Sequence, residues 1–126
     1  MERTVTAKKW AAKIRKASRD AGTYQKYFEH IVGTLAAILE MRDRAMEQFE
    51  AEGGQVLVTF TNKNGAENMV QNPALRMAND LNRDALAYWR DLGLTPAGLR
   101  KINDEALKKQ TRAGMSALLE RFEKSS

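Results

Sequence analysis

The sequence contains no cysteine and only one histidine, which excludes several kinds of site. Without thiols the chain forms neither disulfides nor thiolate metal sites, and a reducing cytoplasm is the expected compartment. His30 has no HxxxH or HExxH companion, so we expect it to pack or to lie at an interface and to bind no metal. No stretch is apolar enough to predict a membrane span, and no apolar segment typical of a secretory signal follows the basic N-terminal residues.

Catalytic motifs are also missing. The sequence has no GxxxxGKS or GxxxxGKT phosphate loop, no GxGxxG dinucleotide motif and no GxSxG nucleophile motif. Asp104 and Glu105 are adjacent, and adjacent residues on a helix do not face each other, so they form a poor acid–base pair. We therefore expect a protein that is not an enzyme and that needs no cofactor.

Charge is distributed unevenly along a chain that is long enough for one domain. Residues 1–22 carry seven basic and two acidic side chains, and residues 96–126 carry seven and four. Residues 23–95 between them carry seven basic and ten acidic side chains. Two basic ends that flank an acidic middle indicate an anionic partner for the ends, and nucleic acid is the commonest such partner.

The N-terminal basic end is predicted to be an amphipathic helix over about residues 6–20. Val5, Trp10, Ile14 and Ala17, with alanines between them, form one apolar stripe, and basic side chains occupy the other faces. Such a helix can contact phosphates and release their counterions. Two alternatives remain open: the charges only solubilise a docked helix, or the helix binds a membrane surface, which its narrow stripe disfavours. The residues predicted to contact DNA are Lys8, Lys9, Lys13, Arg15, Lys16 and Arg19.

A longer second helix is predicted from Tyr24, with Thr23 as its cap, to about Glu50. At ~1.5 Å per residue it would span roughly 40 Å, which is longer than a small domain needs to cover its own core. We therefore expect part of this helix to contact another subunit, with packing inside one chain as an equal alternative. Its acidic C-terminal half disfavours DNA contact there.

The clearest β signal covers residues 55–71, with Asn64 and Gly65 at its centre. Asn-Gly favours a two-residue type I′ turn, which would place Phe60 opposite Met69. An isolated hairpin is marginal in water, so we expect it to pair with a neighbouring copy, and packing on the helices is the alternative. The residues predicted at the oligomer interface are Tyr27, Phe28, Ile31, Leu35, Ile38, Val58 and Phe60.

Local signals mark two further helices. Asn72 followed by Pro73 predicts the start of the third helix, Gly93 predicts its end, and Thr95 followed by Pro96 predicts the start of the fourth. Two helices joined by a short glycine-containing turn resemble a helix-turn-helix. We favour a packed helical hairpin over a major-groove reader, because this pattern is common in helical hairpins.

The last helix, with an interruption expected near Gly114, contains a second basic segment over residues 99–119. This segment is a competing DNA surface. Alternatively, its apolar end docks on a larger partner protein as an amphipathic helix. Its basic residues include Arg100, Lys101, Lys108, Lys109 and Arg112, and its apolar end contains Leu118, Leu119 and Phe122.

Several of these segments resemble the small terminase subunits of tailed bacteriophages. The phrases NPAL at 72–75 and LGLTPAGL at 92–99 carry the resemblance, which is strongest over 59–102 and extends back through DAGTYQKYFEHIVGTLAAILEMRDRAMEQFEAEGG. The resemblance implies a non-enzymatic, ring-forming subunit that recognises the viral genome and passes it to a large ATPase and nuclease subunit. The proposed phosphate contacts rest on charge and not on the resemblance.

Together these features predict a mainly α protein, with one β-hairpin inserted between long antiparallel helices, that assembles as a ring-like homo-oligomer in the host cytoplasm. We expect a basic N-terminal helix over 1–22, an oligomerising core over 23–102 and a basic helix or tail over 103–126. The expected partners are double-stranded DNA, the terminase large subunit and further copies of the chain, with no membrane. A nucleoid-type or regulatory DNA-binding protein and a structural adaptor remain alternatives.

Overall fold

The computed structural model describes residues 4–124, which form four α-helices and one β-hairpin. Of the predicted end segments, residues 1–3 and 125–126 lie outside the described residues. The chain is mainly helical, with an antiparallel two-stranded hairpin between helices, as predicted. In order, the elements are α1 Ala7–Asp20, a 3-10 turn Lys26–Phe28, α2 Glu29–Ala51, β1 Leu57–Thr61, β2 Glu67–Gln71, α3 Pro73–Asp91 and α4 Pro96–Lys124.

The predicted boundaries of α3 and α4 are confirmed by the hydrogen bonds of their capping residues. The Asn72 side chain accepts from the Ala74 amide at 2.9 Å, and the Thr95 hydroxyl accepts from the Gly98 amide at 3.1 Å. Gly93 ends α3 with a φ of 72°, a left-handed conformation that glycine adopts without steric cost. These boundaries depend on neighbouring residues alone, which is why the sequence predicts them well.

The predicted start of α2 at Tyr24 is wrong, because Thr23 does not act as its cap. Thr23 is buried, and its hydroxyl donates to the Leu92 carbonyl oxygen at 2.9 Å, at the end of α3. Gln25 is extended, with φ −135° and ψ 141°, and the 3-10 turn then leads into α2 at Glu29. The Thr23 hydroxyl therefore makes a tertiary hydrogen bond to α3 instead of capping α2.

The hairpin has a register one residue away from the predicted one. Met69 pairs with Thr59 and not with Phe60. Because side chains alternate between the two faces of a strand, Phe60 shares its face with Val58 and Val70, which are directly paired. Phe60 therefore does not face Met69, and instead lies on one face of the hairpin with Val58 and Val70.

The turn explains this shift in register. Asn64 does not adopt the positive φ that a type I′ turn requires at both central positions, and Gly65 alone in the loop does so, at 81°. The Asn62 side chain accepts from the amides of Asn64 and Ala66, both at 2.9 Å. The Asn62 amide also donates to the Ala66 carbonyl at 2.9 Å, so the turn has three central residues, Lys63, Asn64 and Gly65, instead of the expected two. The additional residue shifts the pairing of the strands by one position.

The core forms around α2, which packs against α1 on one side and α3 on another. Val32, Leu35 and Leu39 of α2 are fully buried, and Ile14 of α1 closes on them. α3 contributes mostly alanines to its buried face, and small side chains let two helices approach closely. The buried residues of α3 are Ala74, Ala78 and Ala85.

α4 leaves this body after its first two turns. A methyl group on Gly98 would lie 2.1 Å from the Arg90 carbonyl oxygen, so glycine allows α4 to cross the end of α3 in direct backbone contact. Ile102 is the last residue of α4 that is partly buried, and the side chains of residues 103–123 are all exposed. The interruption predicted near Gly114 is absent, because α4 is continuous to Lys124.

Candidate nucleic-acid interface

α1 docks on α2 through one face and exposes most of its basic side chains on the others. Ala11, Ile14 and Ser18 are buried and lie three and four residues apart, on one side of the helix. Ala17 was predicted in the apolar stripe but is exposed, and Ser18 takes its place. Five of the six predicted DNA contacts are exposed, namely Lys8, Lys9, Lys13, Lys16 and Arg19.

The acidic half of α2 anchors the N-terminal end of α1. The Trp10 indole N–H donates to Asp43 at 2.7 Å, and the Ala7 amide donates to the Glu40 carboxylate. The Thr4 hydroxyl donates to Glu47. A carboxylate at the first turn of a helix also stabilises the positive end of the helix dipole. These three carboxylates thus fix the orientation in which α1 presents its basic face.

Three of the predicted DNA contacts already have partners inside the chain. The Arg15 Nε–H donates to both carboxylate oxygens of Glu29, at 2.9 and 3.1 Å, and Nη2 lies 2.9 Å from Oε1 of the same carboxylate. The charges of Lys13 and Arg19 lie over the rings of Trp10 and Tyr24, at 5.2 and 4.7 Å from the ring centroids. A cation over an aromatic face keeps its charge and stays accessible, so only Arg15 is neutralised by an acid.

Lys8, Lys9 and Lys16 form the free part of the basic face. None has an ion-pair or ring partner among residues 4–124. With 3.6 residues per turn, their side chains leave α1 within an arc of about 100°. Three exposed ammonium groups on one side of a helix whose opposite face is docked can contact a line of phosphates.

The competing basic surface on α4 has a different pattern. Arg100 and Lys108 each lie four residues from Asp104, and Lys101 and Lys109 each lie four residues from Glu105. Residues four apart are neighbours on a helix surface, so carboxylates interrupt this basic face. Residues 96–112 therefore carry five basic and two acidic side chains, against six and one in residues 7–20.

The hairpin extends from the helices with little cover. Neither strand packs extensively on a helix, and the outer edge of each strand has no partner strand in the described chain. Phe60 is 56% exposed and Met69 is 63% exposed, so each face presents a large apolar side chain to solvent. Such a hairpin is marginal by itself and is suited to pairing with another chain.

A family model described as phage terminase, small subunit, matches residues 7–109. The chain belongs to this family. Its match begins at the first residue of α1, covers the whole core and the hairpin, and ends inside the exposed part of α4. Membership supports a role in phage DNA packaging, inside the infected host cell. Searches of curated proteins and of solved structures gave no significant match.

The structure separates the predicted oligomer contacts of this family member into two groups. Leu35 is 0% exposed and Ile38 is 9% exposed, because both pack in the core between helices of the same chain. Their side chains are not part of a surface that a second subunit could touch. Phe28, Ile31 and Val58 are partly buried, whereas Tyr27 is 69% exposed and Phe60 is also exposed.

Two other structural findings concern the sequence expectations. His30 is exposed on α2, so it does not pack in the core of the chain. Within residues 4–124, no group of three or more His, Cys, Asp or Glu side chains could hold a metal ion. In the same part of the chain, every helix is too short or too polar to span a lipid bilayer.

Proposed function

We propose that this terminase small subunit binds double-stranded viral DNA through α1 and presents it to the large ATPase and nuclease subunit in the host cytoplasm. The subunit itself performs no bond chemistry and uses no cofactor. The observation that carries the proposal is the exposed group Lys8, Lys9 and Lys16, which has no acidic partner in the described chain. Family membership supplies the packaging context.

Binding of this kind is largely electrostatic. Each lysine that neutralises a phosphate releases condensed counterions, and this gain in entropy falls as the salt concentration rises. Lys13 and Arg19 add charge from their positions over Trp10 and Tyr24. Contacts of this type position a protein on the duplex backbone and do not read bases, so we propose recognition with little sequence preference.

Self-association is the second part of the proposal, because one short basic helix binds DNA weakly. Several copies in a ring-like homo-oligomer present several α1 helices to one duplex, and the high effective concentration raises the total affinity. The exposed hairpin supports such assembly, with Val58 and Phe60 on one face. Tyr27, with the accessible parts of Phe28 and Ile31, is a further candidate contact.

Titration of a DNA duplex at several salt concentrations tests the DNA-binding surface. The variant Lys8→Gln/Lys9→Gln/Lys16→Gln should lose affinity, and its slope of log K against log salt should be shallower by about three units per engaged chain. The matched control, Lys101→Gln/Lys108→Gln/Lys109→Gln, removes the same charge from α4. A larger loss in the control would assign DNA binding to α4 instead of α1, and an equal loss would mean that only total charge matters.

A further inference from the structure

The outer edge of β1 presents a row of backbone groups that the hairpin itself does not use. The Asn62 amide donates to the Ala66 carbonyl at 2.9 Å, and the Asn72 amide donates to the Val56 carbonyl at 2.7 Å. In an antiparallel ladder, residues that bond to the neighbouring strand alternate with residues that point away from it. No strand within residues 4–124 pairs with the outer edge. The residues of β1 whose N–H and C=O groups point outward are Leu57, Thr59 and Thr61.

Composition distinguishes the two edges of the hairpin. β1 contains no charged residue, whereas β2 begins with Glu67. Natural sheets protect their edge strands with charged side chains, because an uncharged edge rich in β-branched and aromatic residues pairs readily with another chain. A strand added beside β1 would also extend the sheet beyond two strands, which an apolar sheet needs to be stable in water.

We propose that β1 pairs antiparallel with β1 of a second copy, with Thr59 on the two-fold axis. This inference rests on the proposed function, in which the hairpin joins copies, and it adds the strand, the direction and the register. Thr59 lies opposite its own copy and Leu57 lies opposite Thr61, so the outward backbone groups of both chains bond to each other. A two-fold contact joins copies only in pairs, so a ring that contains it needs a second, different contact.

The side chains of β1 match in this register. Val58 of each chain lies opposite Phe60 of the other, and Val70 is paired with Val58 in the same hairpin. The valines and phenylalanines of both chains therefore form one continuous apolar face, with β-branched and aromatic side chains in direct cross-strand pairs. A pairing through β2 would leave the uncharged β1 edge of at least one chain open.

Charge selects the antiparallel direction. Lys63 is the charged residue of the turn, and α2 ends just before the hairpin with Glu50 and Glu52 nearby in the sequence. The antiparallel register brings Lys63 of each chain level with Gln55 of the other, three residues after Glu52. The cationic tip of each hairpin thus lies toward the acidic base of the other, whereas parallel β1 strands would set the two Lys63 side chains beside each other.

Engineered cysteines in the full chain test the strand and the register, since the sequence has no cysteine of its own. Residues opposite each other in a hydrogen-bonded antiparallel pair have Cα atoms about 5.5 Å apart, which a disulfide can span. Thr59→Cys should therefore convert most of the chain to a disulfide-linked dimer under mild oxidation. Met69→Cys, paired with Thr59 in the same hairpin and also exposed, is the matched control and should give little dimer. No dimer from Thr59→Cys, or equal amounts from both variants, would overturn pairing through β1.

A mixture of Leu57→Cys and Thr61→Cys chains tests the direction. In the antiparallel register these two positions face each other, so mixed dimers should form. Neither variant alone should link, because each position lies four residues, or about 13 Å, from its own copy along the strand. Dimers of Leu57→Cys alone would indicate parallel strands and overturn the antiparallel pair.

Proline substitutions separate a failure of this inference from a failure of the proposed function. Thr59→Pro removes an N–H that points outward, so it should leave the hairpin intact and lower the native mass in light scattering. Met69→Pro makes the same change on the β2 edge and should not lower the mass. Circular dichroism checks the fold of both variants. If Phe60→Ser lowers the mass and Thr59→Pro does not, the hairpin joins copies through its face, and only the edge pairing is overturned. If neither lowers it, the hairpin does not join copies, and both are overturned.

Discussion

Ser18 and Thr23 are buried hydroxyl residues near the end of α1, and only one of the two hydroxyls makes a hydrogen bond. The Ser18 hydroxyl has no partner, and the Thr23 hydroxyl donates to the Leu92 carbonyl at 2.9 Å. A buried polar group without a hydrogen-bond partner lowers stability, whereas a hydrogen bond that is formed contributes about 1 kcal/mol to it. Ser18→Ala should therefore leave the free energy of unfolding unchanged or raise it by up to about 1 kcal/mol.

Thr23→Val is the matched change, because valine has nearly the shape of threonine but lacks the hydroxyl. It leaves the Leu92 carbonyl without this donor. It should lower the free energy of unfolding by about 1–3 kcal/mol. Urea denaturation of both variants and the parent chain measures the difference. A loss of stability in Ser18→Ala equal to that in Thr23→Val would show that the Ser18 hydroxyl has a partner.

The ion pair between Arg15 and Glu29 withholds one positive charge from the proposed DNA surface. Both side chains are about a third exposed, so breaking the pair should lower stability by no more than about 1 kcal/mol. Glu29→Gln should free the guanidinium for a phosphate, raise DNA affinity and steepen the salt slope by about one unit per engaged chain. Salt-dependent titration of a duplex measures both effects.

The control for Glu29→Gln is Asp84→Asn, which removes the same charge from an exposed position on α3. It should change affinity far less, since charges more than a Debye length away are screened in physiological salt. Equal gains from the two variants would mean that only total charge matters, and Arg15 would have no specific part in binding.

Residue spacing in the sequence identifies the three α2 carboxylates that hold α1, but not the groups that they bind. Glu40, Asp43 and Glu47 are three and four residues apart, so the sequence places them on one face of α2. Their partners are Ala7, Trp10 and Thr4, more than thirty residues earlier in the chain. No local rule identifies such a pairing, because it depends on how two helices cross.

At the scale of elements, Gly33 and Gly98 are helical glycines with opposite surroundings. A methyl group on Gly33 meets nothing within 4 Å, whereas one on Gly98 would meet the Arg90 carbonyl oxygen at 2.1 Å. Gly33→Ala should raise the free energy of unfolding by about 0.5–1 kcal/mol, through helix propensity. Gly98→Ala should lower it, by about 1–3 kcal/mol, because α4 must move away from α3.

Denaturant unfolding compares the two glycine variants directly, and circular dichroism confirms that each remains helical. Similar stability in both would mean that the contact between α3 and α4 is loose in solution.

The hairpin shows where prediction at the element scale stops. Residues 55–71 were predicted as a hairpin, and strands Leu57–Thr61 and Glu67–Gln71 lie inside that range. The register was wrong because the Asn64-Gly65 pair was taken to form the turn alone. The Asn62 side chain accepts hydrogen bonds from two loop amides and so decides the loop length. The rule that Asn-Gly forms a two-residue turn does not consider Asn62, because this residue lies outside the expected turn.

For the whole molecule, the sequence predicts the number and order of the elements better than their mutual burial. α2 was expected to contact another subunit along part of its length, with packing inside one chain as an equal alternative, and α1 and α3 both pack along it. Leu35 and Ile38 are consequently internal, while most of the large exposed apolar side chains in residues 4–123 lie on the hairpin and α4. Periodicity identifies an apolar face, but packing among all helices decides what covers it.

Assembly and DNA binding should be coupled in the whole molecule, because the proposed affinity arises from several α1 helices acting together. Phe60→Ser removes an exposed apolar side chain from the hairpin without a change in charge or in α1. It should lower the native mass in light scattering and weaken duplex binding by about 100-fold, the lower end of the gain expected from avidity. Thr61→Ser, on the other face of β1, is the control and should change neither quantity.

If the mass falls while DNA affinity is retained, single chains bind DNA well enough alone and avidity is not the mechanism. If the mass is retained in a folded chain, the hairpin is not the contact that joins the copies, and Tyr27 with its neighbours becomes the surface to alter next.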